Sequence, residues 1–285
     1  MSDLMRHIAA CNNAVLPGGR LPFLVDDAAV GWVAPELARR LPALGAVVGG
    51  GAVRVPSIRL QPLAKALAEQ GEFSWRDESF DVRADPDGSA VALLDRGALP
   101  AFGVQADGVH LNGFVQRGGT TLLWVARRAG HKLLDPGKLD HLVGGGVSAG
   151  LTPLQTLAKE AAEEADLPEA LVRTARPVAI ISYALQREEG LRRDRLHCYD
   201  LMLPEGFEPR PQDGEVEAFE LWDLPRVLDR VRRTDDFKFN VNLVLIDLFL
   251  RRGMLQPGEA ASLRAALYRC RPVPLPPCTA AALYR

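Results

Sequence analysis

The sequence predicts an α/β protein in two parts, a smaller α+β domain over residues 1–105 and a larger mixed α/β domain over residues 106–285. Three observations lead there. Short β-rich segments recur through the second part, at residues 109–115, 121–126, 175–185, 196–203 and 218–222. Among them stands one strongly signalled amphipathic helix starting at Pro153, and after them an apolar helix over residues 239–251 that is expected to pack on the sheet. Strands alternating with helices form layers in which each helix covers a sheet face.

Residues 1–102 carry no visible catalytic constellation. Residues 35–41 and 62–69 read as short helices beginning with Pro, and residues 80–94 as strands around the turn Asp85-Pro86-Asp87-Gly88. Neither Lys-Ser/Thr nor a helix start follows Gly49-Gly50-Gly51, so that run reads as a flexible connection and not a phosphate loop. Trp32, Phe73, Trp75 and Phe80 are expected in the core, with a pocket wall at the domain boundary as the alternative for one or two of them.

The second part opens with two β segments joined by the hairpin signal Arg117-Gly118-Gly119. Arg127, Arg128, Lys132 and Lys138 follow. Four cations so placed suit clamps for a diphosphate, with Arg able to grip bidentately, and ordinary surface charge is the competing reading. The charged stretch 186–195 reads as a solvated loop between strands, and His197 as a lone structural imidazole. Residues 224–231 read as a helix, and the tail with Pro272, Pro274, Pro276 and Pro277 cannot stay helical.

Chemistry concentrates between Gly144 and Leu167. Thr152 suits an N-cap, Pro153 the first helical position and Gln155 the third place of a capping box. Leu154, Leu157, Ala158, Ala161 and Ala165 form an apolar stripe, and Glu160, Glu163 and Glu164 are read on the opposite face. Like charges at i,i+3 and i,i+4 cost about 0.2–0.5 kcal/mol per pair, a penalty that a divalent cation removes. Carboxylates without His or Cys suit Mg²⁺ or Mn²⁺; a solvated acidic face is the alternative. Gly144, Gly145 and Gly146 let backbone pass close to a phosphate or metal.

These residues resemble the Nudix hydrolase signature, with Gly145 at its first position and Lys159-Glu160-Ala161-Ala162-Glu163-Glu164-Ala165-Asp166-Leu167 on its second half. Leu151 stands where the family has its first Glu, Lys159 replaces Arg, Ala161 a bulkier aliphatic residue and Asp166 the closing Gly. That Glu and that Arg are usually partners in the family, so Leu151 and Lys159 read as one coupled change that leaves Lys159 facing solvent. The resemblance implies a Nudix α/β/α sandwich with a mixed sheet. It also implies Mg²⁺ (or Mn²⁺) held by Glu160, Glu163 and Glu164 with the Gly144 carbonyl, and hydrolysis of a small-molecule diphosphate. A further acid from residues 213–217 would assist, Glu215 being chosen over Glu217.

The Pro136-Gly137 approach to the box is similar too, with Leu139 where many members have Trp. The flanking motifs Asp95-Arg96-Gly97, Phe102-Gly103, Gly108-Val109-His110-Leu111-Asn112-Gly113 and Phe237-Lys238-Phe239-Asn240 resemble a two-domain subgroup. It is related to the thiamine-diphosphate phosphatase part of fungal thiamine pyrophosphokinases and to some plant Nudix hydrolases. The resemblance implies thiamine diphosphate as substrate. A nucleoside-diphosphate compound such as ADP-ribose, or a non-catalytic ligand-binding role, are the alternatives.

Composition bounds the partners. With 47% hydrophobic residues, 25% charged and a net charge of −2, the chain has no global attraction for nucleic acid or anionic lipid. Cys11, Cys198, Cys270 and Cys278 are scattered without metal-site spacing, as suits reduced thiols in a cytoplasm. Asn12 and Asn13 interrupt any leader-like apolar run, and Asp247 interrupts the most apolar later stretch, so neither export nor a membrane span is expected.

Overall fold

In the computed structural model, which describes residues 3–131 and 134–269, the chain opens with helix α1 (Met5–Cys11). This helix packs on the core of the second domain and not on the strands that follow it. Leu4, Ile8 and Cys11 are buried in the same cluster as Val244, Phe249 and Leu263 from the far end of the chain. An apolar face of only seven residues needs a large surface to cover it, and the second core supplies one.

The leading domain has β1 (Leu21–Val25), β2 (Ala28–Val33), α2 (Pro35–Arg40), β3 (Val47–Gly49), β4 (Ala52–Val55) and α3 (Ser57–Glu69). Its strands run in the order β2-β1-β4-β3, with β1 and β4 parallel. Gly50 and Gly51, at φ 58° and 74°, turn the β3–β4 hairpin, so the glycine run is a tight turn. Helix α3 begins at Ser57, ahead of the expected start, and Pro62 lies inside it. The carbonyl that Pro62 leaves unbonded belongs to Ile58, which is exposed to water. A separate hairpin, β5 (Ser79–Val82) and β6 (Ala92–Asp95), brackets the Asp85–Gly88 turn, and α4 (Leu99–Phe102) leads out. Trp32 and Phe80 are buried, whereas Phe73 and Trp75 pack at the margin of the core.

The second domain is built on β7 (Gln105–Arg117), β8 (Thr120–Arg128), β9 (Leu139–Asp140) and β10 (Val143–Gly146), then α5 (Pro153–Ala165) and α6 (Glu169–Val172). It continues with β11 (Arg176–Arg187), β12 (Gly190–Met202), β13 (Val216–Asp223), α7 (Leu224–Arg233), α8 (Val241–Arg251) and α9 (Pro257–Arg269). The sheet runs β11-β12-β7-β8-β13, parallel between β7 and β12, with β10 paired to β7 and β9 to β8. Alternation along β8 sends Leu123 and Val125 to the cluster under α1, α7, α8 and α9, and Trp124 to the cluster under α5 and α6. The result is the expected α/β/α sandwich with a mixed sheet.

Residues 186–195 are not the solvated loop that their charge suggests. Strands β11 and β12 run almost through them, turning only at Glu188 and Glu189. Arg192 pairs with Asp194 at 3.0 Å, Tyr183 donates to the same carboxylate, and buried Arg193 donates to the carbonyls of Val30 and Gly103. Charges with fixed partners can be covered by a second domain where free ones cannot. His197 is likewise not alone, since its Nε2 lies 3.2 Å from the Asp107 carboxylate. The proline-rich tail lies outside the described residues.

Candidate active site

Helix α5 begins as its sequence dictates. Thr152 Oγ1 accepts from the Gln155 N–H at 3.3 Å and Gln155 Oε1 accepts from the Thr152 N–H at 2.9 Å, completing the capping box. It ends on Asp166 at φ 54°, a left-handed conformation that Asp tolerates. The buried stripe is Leu157, Ala161 and Ala165 with Thr156 and Glu164, whereas Leu154 is exposed.

Glu164 therefore does not share the solvent face with Glu163. It lies seven residues after Leu157 and three after Ala161, which returns it to the inward side, and its Oε2 accepts the Gly144 N–H at 2.9 Å. Burial raises its proton affinity well above the ordinary carboxylate value, against the pull of the Gly144 hydrogen bond. Glu160 is half-buried against Gly145, where a β-carbon would stand 2.5 Å from its Oε2. Its pKa is raised too, chiefly by burial, with Lys159 opposing.

Lys159 is exposed to solvent, as expected, but it is not free. Its Nζ bridges Glu160 at 3.2 Å and Glu163 at 2.8 Å, and the bond to Glu163 is the main cause of its raised pKa. The residues thus fit a hard cation: a buried carboxylate with one backbone hydrogen bond, a second packed on glycine, and a third held nearby by a monovalent cation.

Among the described residues, the acidic and imidazole group whose ligand atoms all lie within 4.8 Å of one another is His110, Asp140 and His141, and not the three helix acids. The two imidazole Nδ1 atoms are 3.1 Å apart and share one proton. Asp140, however, is already paired with Arg128 at 2.8 Å and Lys238 at 3.5 Å. Burial would raise its pKa, but those two cations outweigh it and hold the carboxyl well below the usual range. A third cation there meets the repulsion of Arg128 and Lys238, although His141 Nε2 is buried without a hydrogen-bond partner. Burial keeps both histidines neutral, with the pKa of His141 lowered to about 4 and that of His110 held well below its ordinary value.

The expected diphosphate clamps separate. Arg128 is buried in the Asp140 pair and cannot also hold a substrate. Arg127 and Lys138 line a cleft of about 490 Å³ with Pro136, Trp222, Arg226 and Arg230, and none of the three helix acids is among its described walls. Arg127 donates to the Gly137 carbonyl at 3.2 Å, and Lys138 lies 3.8 Å from Asp135. Lys132 lies outside the described residues. Glu215 sits at the entry to β13, where its carbonyl accepts from the Ala129 N–H at 2.9 Å; Glu217 accepts from the Gly130 N–H at 2.8 Å.

Residues 108–243 match the family described as the NUDIX domain, and residues 3–106 match a domain of unknown function, DUF4743. Nudix hydrolase 24, chloroplastic, of Arabidopsis thaliana is 33% identical over 284 residues, covering 94% of this chain and 77% of that protein. The chain belongs to the Nudix hydrolase family. Nudix hydrolase 20, chloroplastic, also of Arabidopsis thaliana, is 40% identical over 200 residues, 70% of this chain and 54% of that protein, so the chain spans about half of that relative's length. A crystal structure of DR0079 from Deinococcus radiodurans is similar at TM-score 0.46 and 24% identity, over 59% of this chain and 97% of that one.

One feature of this Nudix box lay beyond local sequence reading. Its loop is docked on the leading domain: Ser148 Oγ donates to Glu78 at 2.8 Å, Ala149 N–H to the Ser79 carbonyl at 2.8 Å and Gly150 N–H to Asp81 at 3.2 Å. These contacts hold the segment preceding Leu151, where the signature's usual Glu is absent. The partners are about seventy residues away, and no periodicity or spacing in the box announces them.

Proposed function

We propose that this Nudix protein is a divalent-metal-dependent hydrolase of diphosphate linkages, with thiamine diphosphate or an analogue as substrate, cut to the monophosphate and phosphate. The observation that supports the reading is Glu160 and Glu164 against the side-chain-free strand Gly144–Gly146, with Glu163 on the same helix. Gly144 orients Glu164 through its N–H, and its carbonyl with the three acids would hold Mg²⁺ or Mn²⁺. When bound, such a cation neutralises phosphate charge and makes water more acidic. Burial makes Glu164 and Glu160 avid for a proton, the property a base needs to take one from attacking water; Glu215 is the alternative base.

The thiamine assignment is supported by the flanking motifs Asp95-Arg96-Gly97, Phe102-Gly103 and Phe237-Lys238-Phe239-Asn240. Two buried free thiols, Cys11 and Cys198, support a reducing cytoplasmic setting. A catalytically weak binding module is the second reading, favoured by Lys159 occupying Glu160 and Glu163.

Purified protein with Mg²⁺ is tested against thiamine diphosphate, ADP-ribose and nucleoside triphosphates. Release of phosphate and the monophosphate, abolished by chelator and by Glu163→Gln, supports the reading. Faster cleavage of ADP-ribose moves the substrate, and binding without turnover favours the module.

A further inference from the structure

Arg96 follows β6, and its guanidinium carbon lies 3.7 Å from where a side chain on Gly146 would begin. The residue reaches this place because the leading domain packs its β5–β6 hairpin against the glycine strand. Three contacts fix it. Phe80 lies below, its ring centroid 5.8 Å from the guanidinium, and would itself stand 2.6 Å from a β-carbon on Gly146. Glu78 accepts from Nη1 at 2.8 Å. Ser148, on the box loop, donates to the other oxygen of Glu78, so the position of Arg96 is set relative to helix α5. Even so, the Arg96 side chain is 52% exposed, and Nη1 is its engaged nitrogen among the described residues.

Charge makes this placement informative. A diphosphate carries two anionic phosphoryl groups, and the helix acids with a cation account for one. The other needs a positive partner, because an anion brought beside three carboxylates without one is repelled. Arg128 is committed to Asp140, and Arg127 and Lys138 face the Trp222 cleft. Arg96 and Glu160 flank the glycine strand on opposite faces, Arg96 over Gly146 and Glu160 over Gly145, and neither glycine puts a side chain in the way.

We propose that Arg96, presented by the leading domain, is a substrate-binding residue that grips the phosphoryl group not held at the helix acids. The inference rests on the diphosphate-hydrolase reading above. The planar guanidinium suits this task because it can meet two phosphate oxygens at once, and Glu78 with Phe80 keeps it pre-oriented. The leading domain is then part of the active site, and its own residues contribute to substrate choice.

The test compares wild type, Arg96→Gln and Arg96→Lys as full-length proteins. Binding of inorganic pyrophosphate with Mg²⁺ is measured by calorimetry, turnover by phosphate release and folding by thermal melting. Loss of a charge-assisted hydrogen bond predicts roughly ten- to hundredfold weaker pyrophosphate binding in Arg96→Gln. KM should rise by a similar factor with kcat nearly unchanged, since the grip acts on ground and transition states alike. Arg96→Lys should recover part of the loss, and both variants should melt with wild type. Unchanged pyrophosphate affinity and KM in Arg96→Gln overturn the assignment, as does wild type that binds no pyrophosphate. A lowered melting point with intact affinity shows a purely structural residue and overturns it too. Wild type that binds pyrophosphate through Arg96 but cuts nothing in the panel overturns the hydrolytic reading and leaves the binding role standing.

Discussion

Gly145→Ala separates the site from the fold more cleanly than removing an acid. Gly145 has an ordinary negative φ, so Ala strains nothing in the backbone. The new β-carbon would stand 2.4 Å from Glu160 Cδ, 2.5 Å from Cγ and 2.5 Å from Oε2, about 1 Å inside ordinary contact. The far end of a flexible Glu can swing aside, at a rotamer cost of about 0.5–1.5 kcal/mol. Stability should therefore fall by about 1 kcal/mol or less. The displaced carboxylate leaves its working position by about 1 Å, a misplacement that can cost roughly a hundredfold in rate. Urea denaturation gives the first quantity, and kcat with its Mg²⁺ titration the second. Gly145→Ala in a Glu160→Ala background should cost no stability, because the clash partner is gone. Wild-type turnover and Mg²⁺ dependence in Gly145→Ala would refute the placement of Glu160, and a loss of several kcal/mol would show a rigid wall where a movable acid is described.

Arg128→Met should destabilise the protein by about 3–5 kcal/mol, read as a shift of the denaturation midpoint, because it leaves buried Asp140 with Lys238 alone. Between pH 6.5 and 4 stability should fall with pH, since the unfolded histidines take up protons near 6.5 while folded His141 resists until about 4. Each such proton contributes a slope of about 1.4 kcal/mol per pH unit. Glu160 and Glu164, with raised pKa, act with the opposite sign, so the diagnostic is the flatter pH profile of His141→Gln relative to wild type. Lys159→Met frees Glu160 and Glu163 and should lower the half-saturating Mg²⁺ concentration by up to about fivefold, the ceiling for a half-exposed ion pair.

Local patterns were enough for much of this molecule. The capping box at Thr152 and Gln155, the strands around Arg117-Gly118-Gly119 and the apolar helix before Arg251 depend on neighbours within a few residues, so short-range rules read them. The inward turn of Glu164 was available from the same arithmetic, since it shares the heptad position of Leu157; weighting charge over position hid it. The rest depended on partners distant in the chain. Arg128 looked like a surface cation until Asp140 and Lys238 met it in the core, and residues 186–195 looked solvated until Tyr183 and the carbonyls of Val30 and Gly103 satisfied their charges. Helix α1 crossing to the second core and Glu78 reaching the box loop are docking events between segments that share no local signal. Sequence by itself determined the capped start of α5 and the β7–β8 hairpin, because propensity and periodicity act over a few residues. Only the tertiary structure decided which charges are free and which are spent, because a charge's environment is set by whatever the fold brings against it.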